Sequence, residues 1–479
     1  MASIDGLITG MNTTDTIAQL MKLEAAPQTA LKNKITTANK VVSAYQSVNT
    51  RLSSIVAAAK ALGDADTWNS TKATASSDAL VVSAQAGASM GSFSFHVDQL
   101  AATHTVTYSA GSVASPTAAV VSGNNFKMKL SDGTTKTVNT PQAADKSLQS
   151  VVAAINSEPK SLYTAAAVQI GSGQYTLQLT AKGSGSAAAF TSAQTPTSLN
   201  LGTPATMTQG QDAKLTVGSG GSAYTINSAT NTFADVVAGV TVTATRVQAG
   251  TEPAATVDVK SDPDSITAKV QALIDNANAA LSEIAAQSKI KSGDVAAGPL
   301  VGDSALRKLS QDILSAVSTG VAGLGTSGTG TLSNVGVRVD RTGMLTFNKD
   351  EFLKAYRTDP ATTQQYFASF DDTVGDGKFA AGADVAKGLA RKLEAIGLIA
   401  TEGVVDPTNP TRAKQGTLQT LIQQRNDTIK GLNDQVSAWD IRLESRKTAL
   451  ERQFSNLEVA LGKMKQQSSW LAGQLATLA

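Results

Sequence analysis

Near the end of the chain an apolar residue returns at every seventh position: Ile422, Ile429, Val436, Leu443, Leu450, Leu457, Met464, Leu471 and Leu478. This is the seam of a long coiled-coil-type helix. A second apolar row accompanies it and changes phase. Leu432 and Trp439 lie three residues after their seam partners, whereas Phe454, Leu461 and Leu475 lie four after theirs. Arg446 interrupts the row between the two regimes, so the stripe rotates by about one residue there. A helix over the whole series would be on the order of 90 Å long. The N-terminal region carries a matching pattern. Leu31, Ala38, Tyr45, Leu52 and Ala59 are spaced by seven, and Ile35, Val42 and Val56 fill a second row in which Asn49 is the polar member. Pro27 suits the first turn of that helix and Gly63 its end. Ahead of it lie Ile4, Leu7, Ile8 and Met11, then a short amphipathic stretch with Ile17, Leu20 and Met21.

The middle of the chain has a different period. Segments 93–100, 175–181, 239–247 and 255–261 alternate apolar residues with Thr, Ser or Gln, and Gly-, Ser- and Thr-rich turns separate them. That alternation predicts strands with one buried face. A helix is predicted at 147–156, and 188–210 reads as a loop. Helical spacing returns at 265–288 and 303–318, each opened by a capping residue. A hairpin is predicted over 335–348 with its turn at Asp340-Arg341-Thr342-Gly343, followed by helices at 349–357 and 383–398.

Composition narrows the function. Forty basic residues against 38 acidic ones give a net charge of +2, which offers no reason to expect nucleic acid as a partner. Between 76 and 260 there are nine basic and nine acidic residues, a sparse and balanced set for a surface-exposed module. No cysteine is present, which excludes disulfides, a thiolate nucleophile and Cys-ligated metal. The two histidines, His96 and His104, are too few for a three-His metal site and read as surface residues. Even spacing would put them on one strand face if the strand were continuous. GLGTSG (323–328) and VGSGG (217–221) lack the Lys-Ser/Thr ending of a phosphate loop. Asp372, Asp376 and Gly377 occupy three positions of a calcium-loop pattern, but Val374 and Ala383 stand where it needs ligands. No catalytic constellation and no cofactor site emerges, so no enzyme is predicted. No apolar run is long enough to insert in a membrane. No basic residue precedes Lys22, which predicts a chain that is intracellular or exported without a cleaved signal peptide.

Several segments together resemble the bacterial flagellar filament-capping proteins, the hook-associated protein 2 family. In SIDGLITGMNTTDTIAQLMKLEAAP (3–27), Gly6, Gly10, Leu20, Glu24 and Pro27 match the opening motif in register, while Thr9, Asn12 and Ile17 depart from it. GSFSFHVDQLAATHTV (91–106) resembles an internal block of the family, and 126–185 resembles the hook-type motif of flagellar axial proteins. Residues 298–368 are similar to its C-terminal domain, and Gln467, Ser469 and Leu471 match its terminal Q-x-S-x-L.

The predicted fold is a multidomain α+β protein. It has long coiled-coil-type helices at both termini, a helical body domain with a β-hairpin, and two β-rich outer domains inserted in the middle. The expected division is 1–45 as an N-terminal leg pairing with 440–479; 46–75 plus 261–439 as the body; 76–106 plus 206–260 as a β-rich domain; and 107–205 as the inserted outer domain. The resemblance implies a cap at the distal tip of the filament, which prevents flagellin leakage and promotes flagellin folding and insertion. It further implies a ring-like homo-oligomer, a pentamer, with flagellin, hook-associated junction proteins and a flagellar export chaperone as partners. The expected assembly and flagellin-facing seams run through Leu7, Ile8, Ile17, Leu20, Leu31, Tyr45 and Leu52 at one end. At the other they run through Ile429, Val436, Leu443, Leu450, Leu457, Leu461, Met464, Leu471 and Leu475. Two alternatives stand beside this: another axial protein (a junction protein or flagellin), and an adhesin binding mucin or glycans through the outer β domain.

Overall fold

The computed structural model describes residues 12–139, 146–218, 220–325, 328–406 and 409–476, with the side chains of 405–413 and 475–476 outside that set. The chain divides into two units, 1–65 with 264–479, and 66–263.

The first unit is helical. Helix α1 (Thr13–Glu24) opens on Asn12, whose side chain accepts the Asp15 N–H at 3.0 Å. Helix α2 (Ala26–Gly63) starts with Pro27, which lacks an N–H that the first turn could not have bonded. After the second unit come α5 (Pro263–Ser288), α6 (Ser304–Ser318), α7 (Lys349–Thr358), α8 (Pro360–Ala368), α9 (Leu389–Thr401) and α10 (Thr417–Ala476). Asp303, Asn348 and Asp359 cap α6, α7 and α8 by accepting first-turn N–H groups. The central packing is α2 against α9 and α10. Tyr45, Val48, Leu52, Ile55 and Val56 of α2 are buried, as are Leu389 and Leu393 of α9. Gly397 permits the close crossing, because a Cβ there would lie 2.4 Å from Val56 Cγ2. Among the described residues the unit also holds four two-stranded antiparallel pairs: β15–β16 (Val321–Ala322, Thr329–Gly330), β17–β18 (Val337–Val339, Leu345–Phe347), β19–β20 (Phe370–Asp371, Val385–Ala386) and β21–β22 (Val404–Asp406, Asn409–Lys414). Asn278 of α5 fixes the second by donating to Leu345 O at 2.8 Å and accepting Leu345 N–H at 2.7 Å.

The second unit is built on two cores. The first lies among a five-stranded antiparallel sheet, ordered β1 (Thr71–Ala75), β14 (Ala255–Ser261), β3 (Gly91–Gln99), β10 (Ala213–Val217) and β11 (Tyr224–Ser228), and a three-stranded one, β12 (Thr232–Val237), β13 (Val240–Ala244) and β2 (Leu80–Ala84). Alternate residues, among them Phe95, Val97, Leu215, Val242 and Val257, fill it because successive side chains on a strand point to opposite faces. The second core lies among β7 (Tyr163–Gly171), β8 (Gln174–Ser184), β4 (Thr103–Thr107) and β9 (Ala205–Thr208), the β5–β6 hairpin (Asn125–Lys129, Thr135–Asn139) and α4 (Leu148–Asn156). Phe126, Leu148, Val151, Ile155, Tyr163 and Leu177 are fully buried in it. The chain passes out at 100–102 and returns at 209–212. There Ala102 and Gln211 exchange backbone hydrogen bonds of 2.9 and 3.2 Å.

Four local expectations need correction. The histidines do not share a face, because β3 ends at Gln99 and the chain changes sheet before β4. His96 Nδ1 lies 2.8 Å from Asp98 Oδ1, while His104 is buried, accepts the Gly210 N–H at 3.2 Å and meets the Phe190 ring edge-on. The helix expected at 383–398 begins only at Leu389. Before it, Asp384 turns inward to accept N–H groups from Thr373 and Ala380. The 188–210 segment contains a strand, β9, paired with β4. Helix α8 was not expected, although Asp359-Pro360 is a cap followed by a first-turn proline.

Candidate assembly surface

Helix α10 has 60 residues, about 90 Å at 1.5 Å per residue. Its first half lies along α2 and then α1. The two meet antiparallel: Tyr45 is near Arg425, Gln28 reaches Val436 and Asp440, and Glu24 reaches Arg446. Within this stretch Ile429, Val436 and Leu443 are half-buried and Leu450 is buried. Facing them, Leu31 is half-buried, and Tyr45, Leu52 and Ile17 are buried. Leu20 is exposed on α1, and Leu7 and Ile8 lie outside the described residues.

Beyond Leu450 the same heptad continues without the same cover. Leu457 is 45% exposed, Met464 56% and Leu471 56%, with Val459 and Trp470 also exposed beside them. Leu461 is half-buried, and the side chain of Leu475 is not among those described. Apart from exposed Leu20, half-buried Leu461 and the three that are not described, the seam residues expected from the sequence therefore fall into two sets, one packed within the unit and one facing outward.

Polar groups tie the packed set to its neighbours. Gln28 is buried and donates through Nε2 to Val436 O at 3.4 Å and to the Asp440 carboxylate. Tyr45 donates its hydroxyl to Asp303 Oδ2, while Asp303 Oδ1 caps α6. Burial first, and then that bond to a carboxylate, push the Tyr45 hydroxyl up to about 12. Arg446, the residue that breaks the second apolar row, pairs with Glu24 through Nε at 2.7 Å. The charge thus sits where the chain passes from α1 to α2, and the stripe rotates at the same place.

Among the described residues no cluster of His, Cys, Asp or Glu could hold a metal ion. In the calcium-like segment the carboxylates serve the backbone instead. Asp372 accepts the N–H groups of Gly375 and Gly377, the latter at 2.7 Å. No described helix is long and apolar enough to cross a membrane.

Models of the flagellar hook-associated protein 2 N-terminus and C-terminus match residues 9–104 and 210–466. The interval between them holds the second β core, from Val106 to Leu201. The flagellar hook-associated protein 2 of Escherichia coli K12 is 24% identical over 497 aligned positions, covering 99% of this chain and 98% of that protein. The lateral flagellar hook-associated protein 2 of Vibrio parahaemolyticus is 27% identical over 157 residues, 33% of this chain and 34% of that one. The crystal structure of the D1–D2–D3 domains of the flagellar cap protein FliD from Escherichia coli shares the fold. Its TM-score is 0.56 at 21% identity, over 80% of this chain and 99% of that one. The C-terminal model alone spans more than half of the residues, and the chain belongs to the flagellar hook-associated protein 2 family, structural proteins that cap the flagellar filament at its distal, extracellular end.

Proposed function

We propose that the distal part of α10 is the leg by which this cap engages the filament, and that flagellin is what its seam packs against. One observation carries the reading. A single heptad is packed through Leu450 and then presents Leu457, Met464 and Leu471 to the outside. An apolar row of that regularity, with no described helix laid along it, suits a partner helix that supplies the missing knobs. Flagellin helices entering the tip would complete the seam and be held in register while they fold. Keeping flagellin from escaping would then follow from several copies closing a ring over the tip. A pentamer is our preferred ring, on resemblance alone. Junction proteins and an export chaperone complete the proposed partner set. No observation favours the junction-protein, flagellin or adhesin readings over the cap.

Leu471→Asp tests the leg. It puts a charge into the row without touching the packed segment. The body should keep its circular dichroism spectrum and melting point, while cells lose filament elongation and secrete flagellin into the medium. A motile strain carrying the substitution would remove the distal seam from the mechanism.

A further inference from the structure

The two histidines sit in opposite hydrogen-bonding environments, and the difference bears on the crossing between the two β cores. A neutral imidazole has one N–H donor and one bare nitrogen that accepts, whereas an imidazolium donates from both. His96, on β3, has an oxygen before each nitrogen: Asp98 Oδ1 lies 2.8 Å from Nδ1 and Ala249 O lies 3.3 Å from Nε2. Both partners suit a doubly protonated ring.

His104 is the reverse case. It is 3% exposed, and its Nδ1 accepts the Gly210 N–H at 3.2 Å. A backbone N–H can only donate, so Nδ1 is bare and the ring proton lies on Nε2. That Nε2 is buried and has no hydrogen-bond partner among the described residues. Apart from His104 itself, the residues lining the adjoining cavity, among them Phe190, Thr191, Thr206 and Gln209, are uncharged. The elements packed most closely on β4 bring one charged side chain, Lys182 of β8, whose ammonium donates to Glu158 O at 3.4 Å and Pro159 O at 3.3 Å. Strand β9 and residues 186–192 bring none. Past Gly210, the Asp212 carboxylate is taken up by the Ser186 N–H at 2.7 Å and the Ser186 hydroxyl at 2.9 Å. A second proton on His104 would therefore set N–H against N–H at Gly210 and leave both ring donors without an acceptor.

The contact lies where the chain passes between the cores. His104 follows the outgoing crossing at 100–102, and Gly210 belongs to the return at 209–212. The backbones meet closely there. A Cβ on Gly210 would lie 2.8 Å from Gly185 O and 3.0 Å from His104 Cβ, and Gly185 N–H donates to Ala102 O at 3.2 Å. We propose that this crossing is a pH-sensitive joint. Neutral His104 holds it closed; protonation of His104 breaks the bond to Gly210 and loosens the outer core from the inner one. The cap works at the extracellular end of the filament, so the joint meets the pH of the medium. The inference stands whether or not α10 binds flagellin.

The chain has only two histidines, so isotope labelling of histidine ring nitrogens gives a spectrum with two residues in it. The full chain is titrated from about pH 8 to about pH 5, the range in which imidazoles change charge. Amide hydrogen exchange is followed in parallel and corrected for its intrinsic dependence on pH. Protection of 101–104 and 209–212 should fall about tenfold as the His104 ring gains its second proton, the scale of one lost hydrogen bond. Strands inside either core, such as β8 and β13, should keep theirs. His96→Gln should leave the fall unchanged. His104→Asn supplies an acceptor oxygen that cannot take up a proton in this range, so it should keep the crossing protected throughout. Unchanged protection after His104 becomes charged overturns the joint, as does a His104 that stays neutral down to the acid end. A fall of equal size in His104→Asn, or its loss in His96→Gln, assigns the effect elsewhere and overturns it too. Loss of protection throughout both cores would be acid unfolding and not a joint. Should His104→Asn fail to fold, ring charge set against exchange in wild type and His96→Gln decides between these outcomes.

Discussion

Leu450 and Leu471 occupy the same heptad position of the same helix, three heptads apart, and their surroundings are opposite. Leu450 is 7% exposed, and Leu471 is 56% exposed. The sequence period is identical at both, because a heptad records which face of a helix is apolar and nothing about what covers it. The packed half is recognisable by what surrounds the seam. Gln28, Tyr45 and Arg446 are polar groups whose partners are Asp440 on α10, the α6 cap Asp303, and Glu24 on α1. Such cross-links make sense only where the neighbour is fixed. These cross-links lie in the proximal half, where the seam is packed, and we propose that a partner helix completes the distal seam.

The largest effect should come from deleting the same atoms in the two halves. Leu450→Ala should cost about 2–4 kcal/mol, the transfer and cavity terms of a buried leucine. It should also raise hydrogen exchange across α1. Leu471→Ala should change stability by less than about 0.5 kcal/mol, as for an exposed site, and act only on capping. Urea melts followed by helix signal would check both. Equal costs would mean that the distal seam is packed in the free chain, and the division would fail.

Much of this was legible in the residues, and the exceptions have physical causes. The long helices, the alternating strands and the Asp340 turn follow from periodicity and turn chemistry, and all are present. What the pattern could not supply were contacts between distant segments. His104 looks like any strand residue until the chain changes sheet at 100–102 and carries it under Phe190. Gln28 follows a helix-opening proline and has no apolar signature. Its burial depends on Asp440, 412 positions away. Even within the seam, the sequence named Leu457, Met464 and Leu471 on the same grounds as Val436 and Leu443, and only the packing separates them.

Tyr45→Phe sharpens the comparison at intermediate scale. The hydroxyl ties α2 to Asp303, so its removal should cost about 1.5–3 kcal/mol, as for a hydrogen bond to a charged group. The pH dependence has a definite sign. Tyr45 keeps its proton in the folded chain up to about 12, against an ordinary value near 10. The folded state therefore holds a proton that the unfolded state releases, and this stabilisation is present below pH 10 and lost as pH rises toward 12. Wild type should lose stability across that window faster than Tyr45→Phe. Parallel curves would show that the hydroxyl is not protected by the packing of the proximal half.

The smallest effect belongs to the pair at the border. Arg446 stands where the second apolar row would place a hydrophobic residue, and its partner Glu24 is the last residue of α1. Both side chains are more than a third exposed, so their attraction is weakened by water and by the loss of side-chain freedom. Glu24→Gln should therefore cost less than about 1 kcal/mol, and the difference should vanish in about 1 M salt, where screening acts within about 3 Å. Thermal melts of both chains at low and high salt would measure it. The result bears on more than one ion pair. If the cost is small and salt-sensitive, the charge is a solvated interruption, and the packed seam thins toward Leu450 as it gives way to the outward-facing half. If it exceeds about 2 kcal/mol and survives salt, Arg446 is effectively buried, α1 grips α10 through the border. The switch from internal to external partner then lies abruptly after Leu450, which would make Leu457 the first residue that flagellin has to cover.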